Sequence, residues 1–130
     1  MKYARFAIVA ICIVSFAFAS NPKKDKGNGT VDWNKAEENY ILALKSDNPG
    51  VQASAASHIR EYKLEGAVEE LKSLLTTNSE NVRMSAAYAL VVVGGDEGRT
   101  AVEQAIPNEE NEIVSTFYRS ILSQPSNSMN

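Results

Sequence analysis

The side chains able to carry out chemistry are few in this chain and do not form a recognisable set. His58 is the only histidine and Cys12 is the only cysteine. A zinc site takes about four ligands, mostly Cys and His, and a serine triad needs a base that an acid orients. Ser54 and Ser57 lie near His58 along the chain, but the sequence completes neither arrangement. We therefore expect no metal site, and we expect the His58 ring to pack or cap locally.

Two pairs of adjacent carboxylates and one glycine-rich segment also fall short of a catalytic site. The pairs are Glu69-Glu70 and Glu109-Glu110. Neighbouring residues on a helix point about 100° apart, so the pairs do not converge, and solvated faces or helix N-termini are their expected places. The segment 94–98 lacks the strand and the Lys-Ser/Thr of a phosphate loop, which predicts a turn. The sequence thus predicts no catalytic residue, no cofactor and no enzyme activity.

The segment 1–19 has the features of a secretory signal peptide. Lys2 and Arg5 form a basic start, residues 7–18 are almost entirely apolar, and Ala19 closes a small-residue cleavage site. The apolar run is shorter than the roughly 20 residues that span a bilayer, which favours cleavage after Ala19 over a retained membrane anchor. Cleavage removes the cysteine and leaves no membrane span. We expect the mature protein in the periplasm or secreted.

Composition divides the rest of the chain into a domain, 32–123, between a disordered linker, 20–31, and a disordered tail, 124–130. Removing Lys2 and Arg5 from the 13 basic residues leaves 11 against 16 acidic ones, a formal net charge of −5. Nucleic acids and anionic membranes attract basic surfaces. We therefore expect neither as a partner.

A motif that recurs at a fixed interval organises the domain. Val51-Gln52-Ala53-Ser54-Ala55-Ala56 is echoed at Val82 and, more weakly, at Ile113. Apolar residues at three- and four-residue spacing predict helices throughout, and a fixed period of this size is typical of stacked helical repeats. The predicted helices span 33–46, 49–62, 65–76, 80–93, 98–106 and 109–123. The fold class is therefore all-α, an α-solenoid of about three antiparallel helix pairs.

Residues 67–96 resemble the short HEAT repeat of the kind described in phycobiliprotein lyase subunits. The matching positions are Val82-Arg83, Ala86-Ala87, Ala89-Leu90 and Gly95-Asp96. The family's arginine is Gln52 in the first pair and Val114 in the third. The resemblance covers Trp33 to about Ser123. It implies a curved stack in which the second helix of each pair lines the concave surface.

The resemblance also places candidate partner-binding residues on that concave surface. In the register of the echo, Val51, Ala55 and Ile59 face inward and the positions between them face the concave side. The candidates are Met84, Tyr88, Val91, Arg60, Arg119 and Leu122. Aromatic, Met and Arg side chains are favoured at interface centres. The alternative is that curvature or the N-terminal tail buries the stripe, and the open end at Phe117, Tyr118 and Ile121 is a second candidate surface.

The sequence therefore predicts an exported interaction or scaffold module that binds a protein partner and has no catalysis of its own. Two alternatives remain: an accessory subunit of an enzyme, as the lyase resemblance implies, and an envelope protein that associates with itself through its terminal repeats.

Overall fold

Six α-helices make up the domain in the computed structural model, which describes residues 31–125. They are α1 Trp33–Leu44, α2 Pro49–Tyr62, α3 Val68–Ser73, α4 Glu80–Val93, α5 Gly95–Ala105 and α6 Glu112–Ser123. Short 3-10 turns lie at Glu65–Ala67, Leu74–Thr76 and Ile106–Asn108. The predicted signal peptide, nearly all of the linker and the end of the tail lie outside the described residues. No helix in the described range is long and apolar enough to cross a bilayer.

The helices form three antiparallel pairs, so the predicted all-α solenoid is confirmed. α4 is the centre, because it packs against α2 and α6 on either side and against α3 and α5 of the outer layer. Its alanines are fully buried, and small side chains let helix axes approach closely. The core is one cluster that runs through all three pairs.

A polar side chain starts each second helix. Asn48 Oδ1 accepts from the backbone N–H groups of Gly50 and Val51, at 2.8 and 3.4 Å. Ser79 caps α4 and Asn111 caps α6 in the same way. Each cap satisfies backbone donors that have no partner within the helix, a contribution of about 1 kcal/mol.

Helix α5 begins earlier than predicted, at Gly95 instead of Gly98. Gly95 has φ 54°, the left-handed conformation expected where α4 ends and the chain turns. Gly98 is buried inside α5, where a Cβ would collide with the Leu90 carbonyl of α4. The segment 94–98 therefore contains both the turn after α4 and the first residues of α5, which packs closely against α4. The prediction of a turn throughout this segment was wrong.

The third repeat is one residue longer than the sequence echo indicates. Its helix begins at Glu112 instead of Glu109, and the step from the cap Ser79 to the cap Asn111 is one residue greater than the step from Asn48 to Ser79. Accordingly, Val114 is fully buried as Val82 is. The extra residue lies between the end of α4 and the cap Asn111, because α2 and α4 are both 14 residues long. Every position of α6 is thereby rotated by one residue relative to the alignment that the echo predicted.

Val51, predicted to face inward, is also an exception. It is 41% exposed, while its equivalent Val82 is 0% exposed. The first pair has no preceding pair among the described residues, so a side chain that is covered in the middle of the stack is open at this end.

Candidate partner-binding face

Tyr88 of α4 lies at the meeting point of the three second helices. The guanidinium carbon of Arg60, from α2, lies 4.2 Å from the centre of the Tyr88 ring. On the other side, the Phe117 ring of α6 meets Tyr88 edge to face, with centroids 6.3 Å apart and planes at 78°. All three side chains are partly buried. A cation over a ring face and a ring edge against it are both favourable contacts, so the phenol is held in one position.

Ile113 extends this surface. It lies one helical turn before Phe117, and residues four apart share a face of a helix. At 73% exposure, it is the most exposed large apolar side chain of the described region. We call Arg60, Tyr88, Phe117 and Ile113 the Tyr88 face.

The three candidate residues on α4, Met84, Tyr88 and Val91, differ in their exposure. Tyr88 stays at the surface, but Val91 is only 5% exposed and Met84 packs partly buried against the core. Little of Val91 is accessible to a partner. The alternative of internal burial thus holds for Val91 and partly for Met84, whereas Arg60 lies partly buried over the Tyr88 ring.

Arg119 and Leu122 were assigned in the wrong register. With the spacing that the caps give, Ser120 and Ser123 take the places equivalent to Tyr88 and Val91, and Arg119 is equivalent to the buried Ala87. Arg119 is exposed and its Nη1 donates to Ser115 Oγ at 3.4 Å. Arg119 therefore belongs to the open C-terminal end of the stack and not to the row through Tyr88.

Leu122 is partly buried, and its backbone carbonyl accepts from Arg99. Tyr118 and Ile121, predicted at an exposed end, are core residues. Ile113 was not predicted to lie at the surface, because the apolar echo aligns it with the buried Val82. The spacing of the capping residues was the signal that gave the correct register.

An ion pair between Arg83 and Glu109 joins the second pair of helices to the third. Arg83 Nε and Nη2 donate to the two carboxylate oxygens at 2.7 and 2.8 Å, and Nη1 donates to the Thr77 carbonyl at 2.9 Å. The side chains are 13% and 5% exposed. Arg83 holds the pKa of Glu109 below its ordinary value, against the opposing effect of burial. Glu109 is therefore not a solvated carboxylate, but it does lie at a helix N-terminus as expected, because its Oε1 accepts from the backbone N–H of Asn111, the cap of α6, at 2.9 Å.

Gln52 replaces this arginine in the first pair, and it keeps part of the role. Its Nε2 donates to the Leu44 carbonyl at 3.0 Å. Val114, the third-pair residue that the sequence alignment put at this position, is a core residue instead. The cation and the carboxylate of the Arg83 pair both serve to hold the stack together, which leaves no free acid or base there.

A second surface, the N-terminal groove, lies at the start of the stack. It is an open depression of about 540 Å³ lined in part by Tyr40, Val51, Ser54 and His58. The His58 ring stacks on Tyr40 with centroids 5.3 Å apart, and its Nδ1 lies 2.8 Å from the Ser54 carbonyl, which fits an Nδ1–H donor. The prediction of a locally packed histidine is confirmed. Within the described range, no cluster of three or more side chains is arranged to hold a metal.

Comparison with protein families agrees with this architecture. The family model described as HEAT repeats matches residues 38–120, which is more than half of the chain and includes most of α6 and all of α2 and α4. No curated protein and no solved structure matches the chain. The helix pairs, the stacked layers and the family match lead to one conclusion: this chain belongs to the HEAT-repeat family.

Proposed function

We propose that this protein is an exported HEAT-repeat module that binds a protein partner through the Tyr88 face and has no catalysis of its own. HEAT repeats generally mediate protein–protein interaction, and solenoids offer extended surfaces for it. The observation that carries the proposal is the Tyr88 ring, held partly exposed between Arg60 and Phe117. Tyr and Arg are enriched at the energetic centres of interfaces.

The exported location rests on the sequence of the segment 1–19. A basic start, a short apolar run and a small-residue cleavage site after Ala19 support secretion or a periplasmic location. Fractionation of the native host with an antibody against the domain tests it. Protein found only in the cytoplasm would contradict export without bearing on the binding face.

Site-specific photo-crosslinking tests the binding face. A photoreactive phenylalanine at Ile113 points from an exposed position beside Phe117, so its introduction leaves the core intact. The matched control is the same residue at Glu103, an exposed position on α5. Irradiation of the native cells is expected to give a discrete crosslinked band from position 113 and none from 103. Equal or absent bands at both positions would refute the proposed face.

Self-association is a second candidate function, and one observation favours it. In α2, Val51 is 41% exposed and Tyr62 is 36% exposed, while the equivalent residues of α4, Val82 and Val93, are buried. Val51 lines the N-terminal groove, and Tyr62 lies outside the groove on the same helix. This end of the stack thus presents apolar surface that a neighbouring helix pair covers farther along. Two copies that join by this surface would cover it.

A further inference from the structure

We propose that the Tyr88 face recognises an acidic segment of its partner, with one carboxylate on Arg60 and a large apolar side chain on Phe117 and Ile113. This inference rests on the proposed function and specifies the chemistry of the partner. It follows from the state of Arg60, from the neighbouring apolar surface and from the charge of the chain.

Arg60 differs from the other arginines of residues 31–125. Arg83 is bound to Glu109, Arg99 donates to the Leu122 and Gln124 carbonyls, and Arg119 donates to Ser115. In the same range, the guanidinium nitrogens of Arg60 meet no acceptor within hydrogen-bond distance and no carboxylate within ion-pair distance. A guanidinium carries five N–H donors, which an incoming carboxylate accepts in pairs.

The contact with Tyr88 prepares Arg60 for this role. The ring lies 4.2 Å from the guanidinium carbon and restricts the side chain to one side of the face. A restricted side chain loses less conformational entropy when a ligand binds. The group is also partly buried, so a charge pair formed here is less screened by salt than one at a fully exposed position.

The surface beside Arg60 is apolar, so the partner is expected to carry a large apolar side chain close to its acidic residue. Phe117 touches Tyr88, and Ile113 stands open one turn away on the same helix. The chain as a whole has a net charge of −3, so a long polyanion such as a nucleic acid is repelled by the rest of the molecule. A protein segment with a single Asp or Glu beside a large apolar residue fits both features.

Selection of displayed peptides tests the inference with a charge reversal. A library of random short peptides is selected against the folded protein, immobilised at its C-terminus, and in parallel against Arg60→Gln and Arg60→Glu. We expect the wild-type protein to select peptides with Asp or Glu next to Leu, Ile or Phe. Arg60→Gln is expected to weaken binding of those peptides at least tenfold, and Arg60→Glu to select Lys or Arg instead.

Two controls separate recognition from loss of folding. Lys35→Gln removes an exposed cation from α1 and is expected to leave the selected peptides unchanged. Arg60→Lys keeps the charge without the planar fork, and is expected to retain the acidic preference at lower affinity. Helical circular dichroism is compared for every variant, and Arg60→Lys provides the test if Arg60→Gln fails to fold.

The outcomes are distinct from those of the crosslinking experiment. Selected peptides without acidic enrichment, or equal binding by Arg60→Gln, would overturn the acidic partner even where position 113 crosslinks to a protein. Failure to select any peptide would also overturn it, because the proposed ligand is a linear segment. If no crosslink forms but acidic peptides are selected, the proposed binding of a native protein partner would be refuted. The preference of the Tyr88 face for an acidic segment would still be supported.

Discussion

At the scale of single residues, Tyr118 is the side chain with the least favourable surroundings in the described structure. Its ring is fully buried, and its hydroxyl has no hydrogen-bond partner among the residues described. Burial, with a smaller contribution from Glu109, raises the pKa of Tyr118 to about 12, while the nearby Arg83 acts in the opposite direction. The ring fills the core at the third pair, and the hydroxyl adds a desolvation cost.

Tyr118→Phe is expected to match or exceed the wild-type free energy of unfolding near neutral pH, by up to about 1 kcal/mol, because it removes a buried unpaired group. Above pH 10 the two proteins are expected to diverge. The unfolded tyrosine ionises near pH 10 and the folded one only near 12, so the wild-type protein loses stability as pH rises through this range. Urea unfolding from pH 7 to 11 measures both effects, and a clear loss of stability in the variant at pH 7 would contradict the argument.

At the scale of helices, the crossing of α4 and α5 depends on two glycines for different reasons. Gly95 supplies a positive φ at an open position, whereas Gly98 supplies the absence of a side chain against the Leu90 carbonyl. Alanine is intrinsically better than glycine inside a helix by about 1 kcal/mol. Replacing Gly98 by alanine therefore has two opposing effects on the free energy of unfolding. The direction of the net change shows whether the steric cost of the close approach outweighs the gain in helix propensity.

Gly98→Ala is expected to lower the free energy of unfolding by about 3 kcal/mol, because α4 and α5 must move apart to admit the methyl group. Gly95→Ala is the matched control and is expected to cost only about 1 kcal/mol, the penalty of a left-handed alanine in open space. Thermal unfolding of both variants measures the difference. A Gly98→Ala protein as stable as the wild type would show that the crossing is looser than described.

At the scale of the whole molecule, the two ends of the stack differ in chemistry. The outward positions of α6 are the exposed and polar Glu112, Thr116, Arg119 and Ser123. Their equivalents in α4 include Ala87 and Val91, which are buried. A polar outer face is typical of the terminal repeat that caps a solenoid. The N-terminal groove has no such cap among the described residues.

This asymmetry predicts a closed dimer instead of a chain of molecules joined end to end. Two copies that pair through the N-terminal groove leave polar surfaces outside, whereas end-to-end growth would place polar α6 against an apolar groove. In a concentration series measured by light scattering, the average molar mass is expected to rise from that of one chain to that of two chains and to rise no further. Val51→Glu is expected to abolish the rise, and Ile113→Glu, the same kind of change on the Tyr88 face, is expected to leave it intact. A mass of one chain throughout would exclude the dimer.

The fold was largely predictable from the sequence because its information is local and repeated. Apolar spacing, Asn and Ser caps, and Pro and Gly at helix boundaries each act within a few residues, and the boundaries of α2 and α4 were predicted correctly. The third pair was misaligned because the spacing from the cap of α4 to the cap of α6 is one residue greater than the spacing of the echo. A helix rotates by about 100° per residue, so that one-residue difference moved Arg119 off the predicted face and Ile113 onto the surface.

By itself, therefore, the sequence determined that this protein is an all-α stack of three HEAT-type helix pairs, and that Arg60 and Tyr88 lie on the second helices of the first two pairs. Only the tertiary structure decided which side chains remain accessible. Val91 is covered and Ile113 is open because burial depends on which neighbouring helix lies opposite each position. The contact between Arg60 and Tyr88 likewise depends on the packing of α2 against α4. Both helices bury alanines, and small side chains allow helix axes to approach closely.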